Sequence, residues 1–192
     1  MIRVVVIDDH PALRAGLHTV LDAEPGIVFA GESDGSEESV WPLLKRTQPD
    51  LALLDYHLPH GDGLQLCYRI KQAIPAPKVI VFSAYAGPAL TLPATLARAD
   101  GLLDKGVPAR DLFEAIRLVN RGERLIDAPS RTVLEEAQGR LDAEDLPLLA
   151  MLLDGTPERE IANVLRREPK DVQHAVQRIL GRLRLDVPAR RG

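Results

Sequence analysis

Along the first 121 residues, short continuous apolar runs alternate with stretches in which apolar residues recur every three or four positions. The runs at 2–7, 27–30, 51–54, 79–82 and 101–103 predict strands; the periodic stretches at 11–23, 36–47, 63–73, 88–98 and 108–121 predict helices. Runs such as VVVI and LALL carry no polar alternation, so these strands are expected to be buried on both faces, as in a parallel sheet covered by helices. Five strand–helix units joined by right-handed crossovers give a doubly wound α/β sheet. The site of such a sheet lies at the carboxyl ends of its strands.

The pattern changes after residue 121. Residues 122–140, punctuated by Gly122 and Gly139, read as a linker with a short helix near 130–138. Beyond it the spacing is helical throughout, with helices expected at about 142–153, 157–166 and 169–184. Leu146, Leu149, Ala150 and Leu153 mark one apolar face. Ile161, Val164 and Leu165 mark a second, and Val172, Val176, Ile179, Leu180 and Leu183 a third. Thr156 as cap with Pro157 at the first position starts the second helix, and Pro169 starts the third in the same manner. Two short helices with a tight junction predict a helix-turn-helix. Two prolines sit awkwardly. Pro147 falls inside the first of these helices, and Pro93 inside the fourth helix of the front part, which is therefore expected to be short, kinked or mobile.

Composition changes the picture in three ways. Aromatic residues are only 4% of the 192, so the core must be built from Leu, Val, Ile and Ala. The single cysteine, Cys67, excludes an internal disulfide and a cysteine metal cluster, and is expected to pack on the helix after the third strand. No apolar run approaches the length needed to span a membrane, so the expected location is the cytoplasm, with no membrane partner. The net charge of −4 hides an asymmetry. Residues 1–139 are acidic overall, whereas 166–191 carry eight basic side chains, Arg190 and Arg191 among them, against three acidic ones.

Candidate chemistry collects where the fold would place a site. Asp8 and Asp9 follow the first strand, Asp55 the third, Ser83 the fourth and Lys105 the fifth. Three carboxylates in one crevice repel one another unless a cation is present, and Mg²⁺ suits an all-oxygen site. Carboxylates with Mg²⁺ are the setting of phosphoryl transfer, in which an aspartate can act as nucleophile and form an acyl phosphate. Lys105 would then pair with the phosphoryl oxygens and Ser83 would donate a hydrogen bond to one of them. Paired aspartates after a strand are commonly helix caps and a lone lysine is usually solvated, so the ordered set carries the argument, not any single member. His10, His18 and His60 show no metal-ligand spacing and read as surface or loop residues.

The stretches VVVIDDH, DLALLDYHLPHGDGL, VIVFSA and GLLDKG resemble the receiver domain of two-component response regulators, over essentially all of residues 1–121. The resemblance implies a flavodoxin-like (βα)5 fold. It implies that Asp55 is phosphorylated by a sensor histidine kinase, and that Asp8, Asp9, Asp55 and the His57 backbone carbonyl hold Mg²⁺. By it Ser83 and Lys105 contact the phosphoryl group, Pro59 and Gly63 shape the loop after Asp55, and Ala84 leaves the site open. The family usually has an aromatic switch residue where this chain has Leu102, which cannot make a hydroxyl hydrogen bond.

Residues 141–183, best in EREIANVL and DVQHAVQRILGRL, resemble the LuxR-type helix-turn-helix output domain. That resemblance implies DNA contacts from the exposed face of the last helix, namely Lys170, Gln173, His174, Gln177, Arg178 and Arg182, a chemistry suited to base edges and phosphates. The departures are specific. Arg166 stands where the family prefers glycine, Arg167 where it prefers an apolar residue, Glu168 where it prefers a Ser or Thr cap, Gln173 in place of its lysine and Ala175 in place of its histidine. The output domain, 141–192, is expected to lack the family's fourth helix, only 186–192 remaining. The leading expectation is a transcription regulator that homodimerises on phosphorylation. An alternative is a phospho-switched protein whose altered output domain binds a protein partner. A free-standing phosphatase-like enzyme is disfavoured, because no general acid is evident and the second domain lacks pocket chemistry.

Overall fold

The structure is a computed structural model that describes residues 1–59 and 61–185; His60 and the segment 186–192, with Arg190 and Arg191, lie outside the described residues. The front part contains β1 (Ile2–Ile7), α1 (Pro11–Asp22), β2 (Ile27–Ser33), α2 (Glu37–Thr47) and β3 (Leu51–Leu54). It continues through a two-stranded hairpin, β4 (His57–Leu58) and β5 (Gly61–Asp62), into α3 (Gly63–Ile70), β6 (Lys78–Ser83), α4 (Pro88–Leu96), β7 (Gly101–Asp104) and α5 (Ala109–Asn120). Five strands pair in parallel in the order β2-β1-β3-β6-β7. The order reverses at β1, so the crevice above β1 and β3 is the topological switch point.

The side chains of β1 alternate between two cores although the strand looks uniformly apolar. Val4 and Val6 join Leu17, Leu21, Ile116 and Val119 beneath α1 and α5. Val5 and Ile7 join Val40, Leu64, Cys67 and Leu92 beneath α2, α3 and α4. Cys67 is fully buried on α3, and its Sγ donates to the Ala97 carbonyl at 3.5 Å.

The second part is helical, with α6 (Arg131–Arg140), α7 (Leu146–Leu153), α8 (Glu158–Val164) and α9 (Pro169–Arg182). Its core, Leu148, Leu149, Ile161, Val172, Val176, Ile179 and Leu180, is continuous with the core under α2–α4. α4 therefore packs on the sheet on one side and on α6, α7 and α9 on the other. This two-sided burial explains why PALTLPATL has no polar stripe and why Pro93 is buried inside the helix. The helix is nine residues long, short as expected.

Several sequence expectations are corrected. Pro147 lies in the first turn of α7, where its missing N–H leaves no hydrogen bond unmade, because the helix starts at Leu146 rather than near 142. Ala150 is exposed and Leu148 is buried instead, which rotates the apolar face by about one position. Val164 is also exposed. Pro157, not Thr156, occupies the cap position of α8, with no side-chain cap hydrogen bond. Arg166, which stands where the resembled family prefers glycine, has φ 52°, a left-handed conformation. The linker is partly ordered against the sheet edge: the Leu125 N–H donates to the Asp100 carbonyl at 2.8 Å and the Leu102 N–H to the Leu125 carbonyl at 2.9 Å.

Candidate functional site

The crevice is made by chain reversals at the carboxyl ends of β1, β3, β6 and β7. Asp8 leaves β1 with its N–H donating to the Ser33 carbonyl, and Asp55 leaves β3 with its N–H donating to the Ile7 carbonyl at 2.8 Å. Both carboxylates are nearly inaccessible, at 2% and 4% exposure. Lys105, delivered by the turn after β7, places Nζ 2.6 Å from Asp8 Oδ2 and 2.8 Å from Asp55 Oδ2. Burial pushes the Asp55 carboxyl above the usual carboxylate range, although its hydrogen bond and charge pairing with Lys105 pull the other way. Ser83 is fully buried, with Oγ accepting from the Tyr85 N–H at 3.1 Å.

The loop after Asp55 depends on Gly63. A Cβ at that position would lie 2.1 Å from the Asp55 carbonyl oxygen and 2.8 Å from that of Tyr56. The α3 start must therefore pass directly over the backbone that carries Asp55, and only glycine allows it. Asp62 caps α3 by accepting from the Leu64 N–H at 2.8 Å.

Asp8, Asp9, His10 and Asp55 each offer one ligand atom, all within 4.8 Å of one another. Three carboxylates on a rigid sheet fit a hard divalent cation such as Mg²⁺. His10 is exposed, as expected of a loop residue, but its imidazole Nδ1 lies 2.6 Å from Asp9 Oδ1 and 3.2 Å from Asp8 Oδ1. The sequence reading missed this proximity because adjacency in the chain gave no metal-ligand spacing. His18 does lie away from the site, stacked on Phe29 and 3.2 Å from Asp22.

The last helix, α9, is not free. Gln173 Nε2 is 3.5 Å from Gln72 Oε1 on the last turn after α3, and Gln65 Nε2 of α3 donates to the Gln177 carbonyl at 3.2 Å. Gly181 continues this four-residue stripe, and a Cβ there would stand 3.2 Å from Gln65 Nε2. Arg178 and Arg182 turn inward to their own domain, Arg178 to the fully buried Asp145 at 2.5 Å and Arg182 to Asp142 at 2.6 Å. Lys170 and His174 remain exposed. Two further links join the domains. Glu158 accepts from the buried Tyr68 hydroxyl at 2.9 Å and pairs with Arg98 at 2.8 Å, and the Leu185 N–H donates to the Tyr56 hydroxyl at 2.8 Å. Tyr56 directly follows Asp55, so the residue whose phenol meets the end of the helical part is joined by one peptide bond to the residue whose carboxylate lines the crevice.

Residues 4–117 match the model of the response regulator receiver domain. Over 196 residues the chain is 28% identical to the DNA-binding transcriptional activator DevR/DosR of Mycobacterium tuberculosis, covering 97% of this chain and 90% of that protein. It is 26% identical to the nitrate/nitrite response regulator protein NarL of Escherichia coli, covering 95% and 89% respectively. Among solved structures, the response regulator ChrA of a heme-sensing two-component system aligns with TM-score 0.54 at 29% identity, covering 94% of this chain and 89% of that one. RcsB from Salmonella enterica serovar Typhimurium, bound to promoter rprA in the presence of a BeF3⁻ phosphomimetic, shares the fold with TM-score 0.61 at 21% identity, covering 96% and 100%. No described helix is long and apolar enough to cross a membrane.

Proposed function

The chain belongs to the response regulator receiver domain family, and we propose that it is a cytoplasmic, phosphorylation-controlled DNA-binding transcription regulator. In this reading residues 1–121 are the receiver, 122–140 the linker and 141–192 the helix-turn-helix output domain. The observation that carries it is the placing of Asp55 and Lys105 in one buried crevice while the output helix α9 lies against the receiver's α3.

Asp55 is the phosphoacceptor for a sensor histidine kinase. Mg²⁺ held by Asp8, Asp9, Asp55 and the His57 carbonyl would supply charge neutralisation for the transfer. Lys105 has its ammonium already between Asp8 and Asp55, so it need move little to meet a phosphoryl oxygen. The buried Ser83 hydroxyl accepts from the Tyr85 N–H and would donate its own hydrogen to a phosphoryl oxygen. Leu102 shares β7 with this end of the sheet, and its N–H is strapped to the linker at Leu125, which ties the switch strand to the output domain through backbone.

In the unphosphorylated chain the output domain is docked and part of the candidate DNA face is engaged, Lys170 and His174 staying exposed. Gln173 and Gln177 face the receiver, and Arg178 and Arg182 are paired with acidic side chains. Phosphorylation would favour the undocked state, with dimerisation supplying two half-sites. A DNA-binding titration over a salt series tests this, with and without Mg²⁺ and beryllofluoride, and with Asp55→Asn as control. Tighter, salt-sensitive binding on activation, lost in the variant, is the expected result. An activated dimer with no salt-dependent DNA binding would favour the second reading, an output domain that binds protein. The pairing of Arg178 and Arg182 with their own domain's carboxylates is the observation that favours it.

A further inference from the structure

The crevice holds one nitrogen donor that an all-oxygen magnesium site does not need. His10 directly follows the Asp8–Asp9 pair. It stands at the N-cap position of α1, where its side chain makes no capping hydrogen bond. Its backbone N–H donates to Asp8 Oδ1 at 2.8 Å, which fixes the main chain and points the imidazole at the two carboxylates. Nδ1 then lies 2.6 Å from Asp9 Oδ1. That carboxylate oxygen is buried, yet among the described residues it has no hydrogen-bond partner, so the close approach is not aligned as a donated N–H. Without an ion the ring hydrogen-bonds instead to Asp8 Oδ1 at 3.2 Å, and its Nδ1 lies in one group of ligand atoms with Asp8, Asp9 and Asp55, all within 4.8 Å of one another, so an entering cation would replace the proton between ring and carboxylates.

We propose that the His10 imidazole is a direct ligand of the ion in this crevice and biases the site toward a borderline divalent ion such as Mn²⁺ over Mg²⁺. The inference rests on reading the crevice as a divalent-cation site. The physical reason is ligand preference. Mg²⁺ keeps oxygen ligands and its own waters, whereas first-row transition ions gain affinity from an imidazole added to carboxylates. His10 is 46% exposed, so the ring sits at the mouth of the crevice and can close onto an ion after it has entered.

The test is to bind Mn²⁺ and Mg²⁺ to the full chain by calorimetry and to record pulsed electron paramagnetic resonance of the Mn²⁺ complex. The wild type, His10→Gln and His18→Gln are compared, His18 lying away from the crevice. The expected result is a ¹⁴N modulation in the wild type and in His18→Gln that is lost in His10→Gln. The ratio of Mn²⁺ to Mg²⁺ affinity should also fall in His10→Gln by about tenfold or more, since even groups that only orient a ligand act on that scale. Stoichiometric Mn²⁺ binding without ¹⁴N modulation, or with an unchanged affinity ratio in His10→Gln, overturns the assignment and leaves an oxygen-only site. Failure of either ion to bind any of the three proteins overturns it together with the cation-site reading beneath it.

Discussion

Glu158 offers a direct way to loosen the docked helical domain without touching the crevice or the candidate DNA contacts. Its carboxylate accepts from the Tyr68 hydroxyl, on a residue that is 1% exposed, and pairs with Arg98. A hydrogen bond to a charged acceptor contributes about 1.5–3 kcal/mol. The Arg98 side chain is 39% exposed, so solvent screening holds its pair to no more than about 1 kcal/mol. Glu158→Ala should therefore weaken docking by about 2 kcal/mol, equivalent to about 30-fold in the docking equilibrium. Apparent DNA affinity scales with the fraction of binding-competent molecules, so the unphosphorylated variant should bind DNA more tightly by up to that factor. The assay is the DNA titration without activation, alongside small-angle scattering, in which the variant should show a larger radius of gyration. Tyr68→Phe should move both readouts in the same direction by a smaller amount, and the two substitutions should not add, because they remove one interaction. Unchanged affinity and unchanged dimensions in Glu158→Ala, in a protein that still responds to beryllofluoride, would refute the claim that this contact holds the domains together.

Three further predictions concern stability. Gly63→Ala should lower the urea midpoint severely, at or beyond the ~1–3 kcal/mol typical of overpacking, because the new methyl meets the Asp55 backbone rather than a movable side chain; a midpoint within error of wild type would show that the loop can move away. Arg166→Gly should raise thermal stability by about 1 kcal/mol through relief of the left-handed backbone, read by calorimetry. Burial raises the Asp55 carboxyl above its unfolded value, so the folded state holds that proton more tightly. Stability from this group is therefore present at low pH and lost as pH rises through the folded value. Asp55→Asn should accordingly be more stable than wild type at neutral pH without added cations, with the advantage shrinking on acidification, and a variant less stable at neutral pH would contradict it.

Much of the site was legible in the sequence because each member is fixed by a local rule. A residue that directly follows a buried parallel strand is carried to the sheet's carboxyl edge whatever its neighbours do. Asp8, Asp55 and Lys105 meet that condition, Ser83 is the last residue of its strand, and the structure brings Lys105 into contact with both Asp8 and Asp55. His10 escaped because metal-ligand spacing is a statement about helix and strand periods, and a turn that folds an imidazole back on the two preceding residues has neither. The output helix shows the opposite limit. Its polar face was legible, but a polar stripe does not say what it meets, and here Gln173 meets Gln72 in the turn after α3 and the Gln177 carbonyl meets Gln65 of α3.

The sequence by itself determined the five strand–helix units, the change to an all-helical second part and the order of chemistry along the sheet edge. These follow from periodicity and chain connectivity over a few residues at a time. The tertiary structure alone decided that α4 is buried on two sides, that the linker at Leu125 adds to the β7 edge, and that α9 is docked on α3. The contacts behind those facts join residues about a hundred positions apart, such as Tyr68 with Glu158 and Tyr56 with Leu185. Their strength depends on two surfaces matching in shape and charge at once, and no local pattern of apolar and polar positions carries that information.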